Sequence, residues 1–420
     1  MSIKLYHLNA QGLRVAVSAV GALAVVAAIF VAKWGFAHSA ATRSDTIDVV
    51  SLAADLAPDD PQTHYALAVL SEKTFVTEDI ERAVREFEKA VALSPNNYIL
   101  WLDLGRARER NGDQPGAERA LRRALELAPN YSRVQWALGN TLLRQGKNDE
   151  AFAEIRKAVA GDAAYTNSAA TTAWQIFDGD VGRIRTAIGD SNRANASLAT
   201  LLAGKKRFDE AFFIWEALPA DEKRTTFKET GDLLHRQLVE AGKYRFASRI
   251  GEPNAATQSS GIVTNGGFEE PVTIQTSNIF SWQIADGAIP RIGPTDGQKH
   301  GGNYSLLMSF GQAVKSIRQV SQTIAVDPGS GYVFQLYYRS DLKTQAKLKW
   351  EILTAANGKI ISTTDQLPPA PDWTAARAVF TVPEDIDGVT IRFVAEGCDP
   401  ANCSLSGNIW FDDFSLKAGN

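Results

Sequence analysis

The stretch Trp101–Gly112, WLDLGRARERNG, reads as one amphipathic helix closed by a glycine. Thirty-four residues on, Gln135–Gly146 reads QWALGNTLLRQG, with Leu-Gly and the closing Gly at the same places. Leu70, Leu104 and Leu138 keep that step, and so do Ser71, Gly105 and Gly139. Downstream the same interval links Ala83, Ala117 and Ala151, then Phe87, Leu121 and Ile155, then Ala90, Ala124 and Ala158. Pro61, Pro95 and Pro129 recur at this step and are expected to close each unit, because proline lacks an N–H and clashes inside a helix. Small residues at Gly105 and Ala117 let two antiparallel helices approach, while Phe87 and Leu121 fill the space between hairpins. One hairpin cannot bury its apolar face alone, so the repeat predicts a stack.

The pattern resembles the tetratricopeptide repeat family, with three clear copies from about Asp59 to Gly161. Fainter copies follow around Leu198–Leu218 and Leu234–Ile250, and Ser44–Ala57 reads as a leading half-repeat. The resemblance implies an all-α helical-repeat superhelix over residues 44–250, with a protein or peptide partner on a concave surface lined by the first helix of each hairpin. By register that surface carries Tyr65 and Glu72, then Ile99, Arg106 and Arg110, then Trp136, Asn140 and Arg144. Arg106, Arg110, Asn140 and Arg144 suit a carboxylate held bidentately beside an amide on a peptide backbone. Family members that grip a C-terminal carboxylate carry a lysine one turn earlier, where this chain has Ile99 or Trp136. The alternative is a solvated basic face with intrahelical ion pairs.

The chain has 420 residues, enough for two to four domains, and its formal net charge of -4 offers no nucleic-acid signature. Leu13–Ala32 is long and apolar enough to cross a bilayer, with Lys33 and Trp34 where a span would end. Residues 1–43 are therefore expected to form a signal anchor with its transmembrane helix at 13–32. A cleaved signal, with Ser39–Ala41 as the cleavage motif, and a buried helix are the alternatives. The only two cysteines, Cys398 and Cys403, flank the turn-forming Asp399-Pro400. A disulfide across that turn, rather than a reduced pair, favours an exported body. Zinc would need further ligands, and the five histidines are scattered. The expected location is a bacterial inner membrane, single-pass, with the body in the periplasm.

Residues 251–261 are small and polar and read as a linker. Beyond them the apolar period changes to two: YVFQLYYRS places Tyr332, Phe334, Leu336 and Tyr338 on one face, and AKLKWEILT does the same with Leu348, Trp350 and Ile352. Turn clusters such as DPGSG separate these runs, which argues for an antiparallel sandwich over residues 262–420. NGGFEEP at Asn265–Pro271, Trp282, GGNYSLLM at Gly301–Met308 and the final IWFDDFSL fall in the order seen in jelly-roll carbohydrate-binding modules with a galactose-binding-like fold. That resemblance implies one structural calcium ion held by Glu269 and Asp412, with loop carbonyls of His300–Asn303; Glu270 and Asp413 are the adjacent choices. Backbone N–H donors without a metal are the other way to hold those carboxylates. For sugar, the polar strand faces offer Gln335, Tyr337, Lys349, Glu351 and Arg392, with Trp282 and Trp373 in loops. Trp282, Trp350 and Trp410 are expected in the core, because large apolar rings are usually buried.

No pair of carboxylates flanking a cleft, Ser-His-Asp order or phosphate-cradling loop points to catalysis. The expected role is a non-enzymatic, membrane-anchored periplasmic scaffold. Its repeats bind a protein and its sandwich binds polysaccharide or protein, in surface polysaccharide or cell-envelope assembly. The alternative is an accessory structural subunit of a membrane enzyme complex that binds no sugar.

Overall fold

The computed structural model describes residues 11–74, 76–251, 263–272, 278–311, 317–397 and 404–419. The chain divides into two compact units, Met1–Ala194 and Asn195–Asn420. Cys398, Cys403 and the linker residues 252–261 lie outside the described residues.

Among the described residues the first unit holds helices alone: α1 (Gln11–Arg43), α2 (Ile47–Leu56), α3 (Pro61–Ser71), α4 (Thr77–Leu93), α5 (Tyr98–Arg110), α6 (Gln114–Leu127), α7 (Ser132–Arg144), α8 (Asn148–Gly161), α9 (Thr166–Ile176) and α10 (Val181–Ile188). Helices α3/α4, α5/α6, α7/α8 and α9/α10 pair in succession. The repeat positions do what their sizes predict. A side-chain carbon added at Gly105 would stand 2.6 Å from Cγ of Leu121, and one at Gly139 would stand 2.7 Å from Cγ1 of Ile155. Phe87, Leu121 and Ile155 are each 0% exposed. A further regularity ties each first helix to the loop before it. Rings or amides at His64, Trp101 and Gln135 bond the carbonyls of Pro58, Pro95 and Pro129, at 2.9, 2.8 and 2.8 Å. Pro61 departs from expectation: it opens α3 at the first helical turn, where a missing N–H costs nothing, and Asp60 caps that helix by accepting from Gln62 N–H.

The second unit begins with α11 (Asn192–Gly204, which crosses the boundary), α12 (Phe208–Glu216), α13 (Ala220–Arg224), α14 (Lys228–Glu240) and α15 (Tyr244–Gly251). It continues as a sandwich with, among the described residues, ten strands: β1 (Gln283–Ile284), β2 (Arg291–Thr295), β3 (Ser305–Phe310), β4 (Val320–Ala325), β5 (Gly331–Ser340), β6 (Lys347–Thr354), β7 (Ile360–Thr363), β8 (Ala370–Thr381), β9 (Gly388–Glu396) and β10 (Gly407–Ala418). Two antiparallel sheets result, ordered β1-β4-β9-β6-β7 and β2-β3-β10-β5-β8. Alternate residues of β5 and β6 face an aromatic core in which Trp350, Phe334 and Phe411 are completely buried. Trp282 joins them and donates its Nε1–H to the Asn265 carbonyl at 3.0 Å. Trp410 does not. It alternates with the buried Ile409 and Phe411, so it stands half-buried on the outer side of its sheet.

The last helix joins the sandwich rather than ending in solvent. Asp387, just before β9, accepts the Tyr244 and Arg245 N–H groups at 3.0 and 3.3 Å, which caps the N-terminus of α15. Arg245 pairs with Asp327 at 3.2 Å, and the Tyr244 ring lies flush on Gly388.

Candidate functional site

On the helical unit, the first helices of successive hairpins exchange side-chain contacts along one face. Tyr65 on α3 donates its hydroxyl to Asp103 on α5 at 3.1 Å, and burial, reinforced by that carboxylate, pushes its pKa up to about 12. Arg110 on α5 pairs with Glu72 at 2.9 Å, and Arg144 on α7 pairs closely with Glu109 on α5. Arg106 sits 3.9 Å from Asp103; burial, then the neighbouring charge of Arg133, holds its pKa below the usual arginine range. Trp136 stacks on Tyr165 with ring centres 4.9 Å apart, and Asn140 turns its amide back to the Trp136 carbonyl. The structure thus brings Tyr65, Arg106, Arg110, Trp136, Asn140 and Arg144 onto neighbouring first helices, but the cations arrive with acidic partners. Apart from Arg106 with Asp103, these pairs run between helices and not within one. Asp103, Arg133 and Tyr165 were missed in the sequence, although Arg133 occupies the register position of Tyr65 and Ile99.

On the sandwich, the five polar residues that the strand faces offer to sugar are divided between the two sheets. Lys349 and Glu351 lie on β6 and Arg392 on β9, in one sheet; Gln335 and Tyr337 lie on β5, in the other. Each set faces outward from its own sheet, because the alternating residues form the shared core. Within the first set the charges satisfy one another: Arg392 reaches Glu351 at 2.8 Å, and Lys349 reaches Glu396 at 3.1 Å and Glu351 at 3.6 Å. The second set has a different character. His300 stacks flat on Tyr337 with ring centres 3.7 Å apart and 13° between planes, and Trp373 meets His300 edge-on at 5.8 Å. Asp413 holds His300 Nδ1 at 2.6 Å, and Arg339 reaches Gln298 at 2.6 Å. Across β8 the neighbour of Tyr337 is the exposed, small Ala375, so the flank of this ring cluster is open.

The loop that carries His300 also holds the two carboxylates expected to bind calcium. Asp412, 0% exposed, accepts from His300 and Gly301 N–H at 2.8 and 3.1 Å on one oxygen and from Asp413 N–H at 2.8 Å on the other. Burial is the main influence and raises its pKa, the three N–H bonds opposing it. Glu269 accepts from Asn303 and Tyr304 N–H at 2.7 and 3.0 Å, and these bonds hold its carboxyl below the usual range. Both carboxylates therefore face donors, where a calcium site needs six to eight oxygens. Among the described residues no group of three histidine, cysteine or carboxylate side chains is arranged to hold a metal. As placed, the residues do not fit the ion. The strand that carries Asp412 also departs from strict alternation. β10 carries one extra residue between Asp412 and Ser415, a bulge with Asp413 at φ +48°, which turns Phe414 inward and leaves Asp412 with Trp410 under the loop.

Residues 75–132 and 110–169 match a family model described as tetratricopeptide repeat, and residues 260–402 match one described as carbohydrate binding domain. This chain joins tetratricopeptide repeats to a carbohydrate-binding domain. Both are non-catalytic kinds of domain. A curated relative, the peroxisomal targeting signal receptor of Saccharomyces cerevisiae, is 25% identical over 157 residues, which is 37% of this chain and 24% of the relative. A solved CBM4 structure is 19% identical at TM-score 0.29, over 37% of this chain and 99% of its own. A MamA structure from Desulfovibrio magneticus RS-1 is 17% identical at TM-score 0.32, over 37% and 93%.

Proposed function

We propose that the protein is a membrane-anchored, non-enzymatic adaptor whose repeats hold a protein partner and whose sandwich holds a polysaccharide in the periplasm, in cell-envelope or surface-polysaccharide assembly. The observation that carries the sugar half is the His300–Tyr337–Trp373 ring cluster on the outer face of β5 and β8. Sugar rings present C–H faces that pack on aromatic surfaces, and Gln335 and Arg377, opposite each other in register, add donors on the same sheet. A glycan array on the full chain tests it. The parent is expected to bind a polysaccharide class that Trp373→Ala and Tyr337→Ala bind about tenfold more weakly, the scale of one aromatic contact. Lys349→Ala, on the opposite sheet, is expected to bind as the parent does. An array with no binder favours the accessory-subunit reading.

The protein half rests on the mixed charge of the repeat face. Because Glu72 already neutralises Arg110, Arg110→Ala is expected to change partner affinity little. Arg133→Glu, which reverses the exposed cation beside Arg106, is expected to weaken an acidic partner by tenfold or more. Co-purification from mild detergent, followed by titration of both variants, measures this.

A further inference from the structure

Helix α1 runs without interruption from Gln11 to Arg43. Its most apolar window has none of its residues buried, and Leu13–Ala32, at 1.5 Å per residue, spans about 30 Å, the thickness of a bilayer core. At Ala37 the surroundings change. Ala37 is 0% and Ala41 4% exposed, packed with Val50, Ala53, Ala54 and Leu67. His38 Nδ1 lies 2.8 Å from Asp60, the residue that caps α3. The place of Ala37 in the sequence is informative too. Ala37, Ser71, Gly105, Gly139 and Ala173 stand thirty-four residues apart, and all five are small and buried. The half-repeat expected at Ser44–Ala57 therefore has its first helix, and that helix is the tail of the apolar segment.

We propose that α1 is retained in the mature protein and acts both as the membrane span and as the first helix of the repeat array. This rests on the anchoring reading above and sets the array directly at the lipid surface. Only four residues lie between Ala32 and Ala37, so five helical steps, about 8 Å, separate the two. Lys33 and the exposed Trp34 and Phe36 occupy that interval, a cation and rings suited to the headgroup layer. Cleavage at Ser39–Ala41 would remove Ala37 and uncover Val50, Ala53 and Leu67.

The test uses the full chain with its own N-terminal segment, made in a bacterium and taken from the membrane fraction. Mass spectrometry is expected to find peptides from residues 11–37 in the mature protein, which should resist extraction at alkaline pH. Ala37→Trp should raise the rate of proteolysis within α2 and α3 at least tenfold while leaving membrane retention unchanged. Ala27→Trp, in the exposed span, should alter neither. A mature chain that starts after Ser39 overturns the proposal but not export. Release at alkaline pH from an uncleaved chain overturns the anchoring reading and the proposal with it. An Ala37→Trp protein as protease-resistant as the parent shows that the tail of α1 does not belong to the array.

Discussion

Asp412→Ala is expected to lower the stability of the carbohydrate-binding domain by about 2 kcal/mol, because it leaves three part-buried N–H donors without their acceptor. The donors are those of His300 and Gly301, with Asp413 on the other oxygen, and the residue they hold is completely buried. Calorimetry on the full chain reads the effect as a lower melting temperature of the sandwich transition, with the helical transition unmoved. A chelator is expected to leave both transitions of the parent in place, since N–H groups already occupy the carboxylates. A fall of the sandwich transition on chelation, restored by added calcium, would reject the metal-free clamp. Loss of Asp412 should also free the loop carrying His300. The ring stack on Tyr337 then loosens, and sugar binding weakens together with stability.

Gly388→Ala is expected to have the second large effect, on the joint between α15 and the sandwich. Its new carbon would lie 2.4 Å from the Tyr244 ring and 2.8 Å from Cβ of Tyr244, closer than packed atoms approach. Either the ring leaves its seat or the strand shifts, at a cost of about 1–3 kcal/mol. If the ring leaves, Tyr244 and Arg245 are drawn off Asp387 and the helix loses its cap, a further loss of about 1 kcal/mol. Burial, with Asp387 as the second cause, holds the Tyr244 hydroxyl above the ordinary tyrosine range. An ultraviolet pH titration should therefore show one tyrosine of Gly388→Ala ionising at lower pH than in the parent. Tyr244→Ala in the same chain should remove the ring's share of the crowding, leaving only the Cβ contact, and recover part of the strand's stability, though not the docking of α15. A Gly388→Ala protein with an unchanged titration and melting curve would mean that the backbone absorbs the added carbon.

The sequence made the repeats legible because packing between hairpins imposes size at fixed intervals: glycine at 105 and 139, large apolar residues at 87, 121 and 155. It carried the same signal at Ala37 and Ala173, but alanine is common in helices and the neighbouring positions there do not match. The strands were legible from their alternation, down to Trp350 and Phe334 in the core. Strand order was not. Nothing in the spacing of Tyr337 and Lys349 reveals that β5 and β6, consecutive in sequence, belong to different sheets. For the same reason the polar residues offered to sugar divide between two outward faces. The bulge at Asp413 was hidden as well, because only the pairing of β10 with β5 reveals the extra residue between Asp412 and Ser415. His300 drew notice only for its carbonyl, since its stacking partner lies on a strand that begins thirty-one residues later.

The cap on α15 also orders events in time. Asp387 follows Tyr244 by 143 residues, so a ribosome adding 5–20 residues per second delivers the acceptor roughly 7–30 s after the helix it completes. During that interval the first turn of α15 has water alone for its N–H groups, and its seat on Gly388 does not yet exist. The final helix of the array is thus finished only when nearly all of the sandwich has been made. Nascent chains stalled before Asp387 should leave α15 open to protease, and those released after it should not.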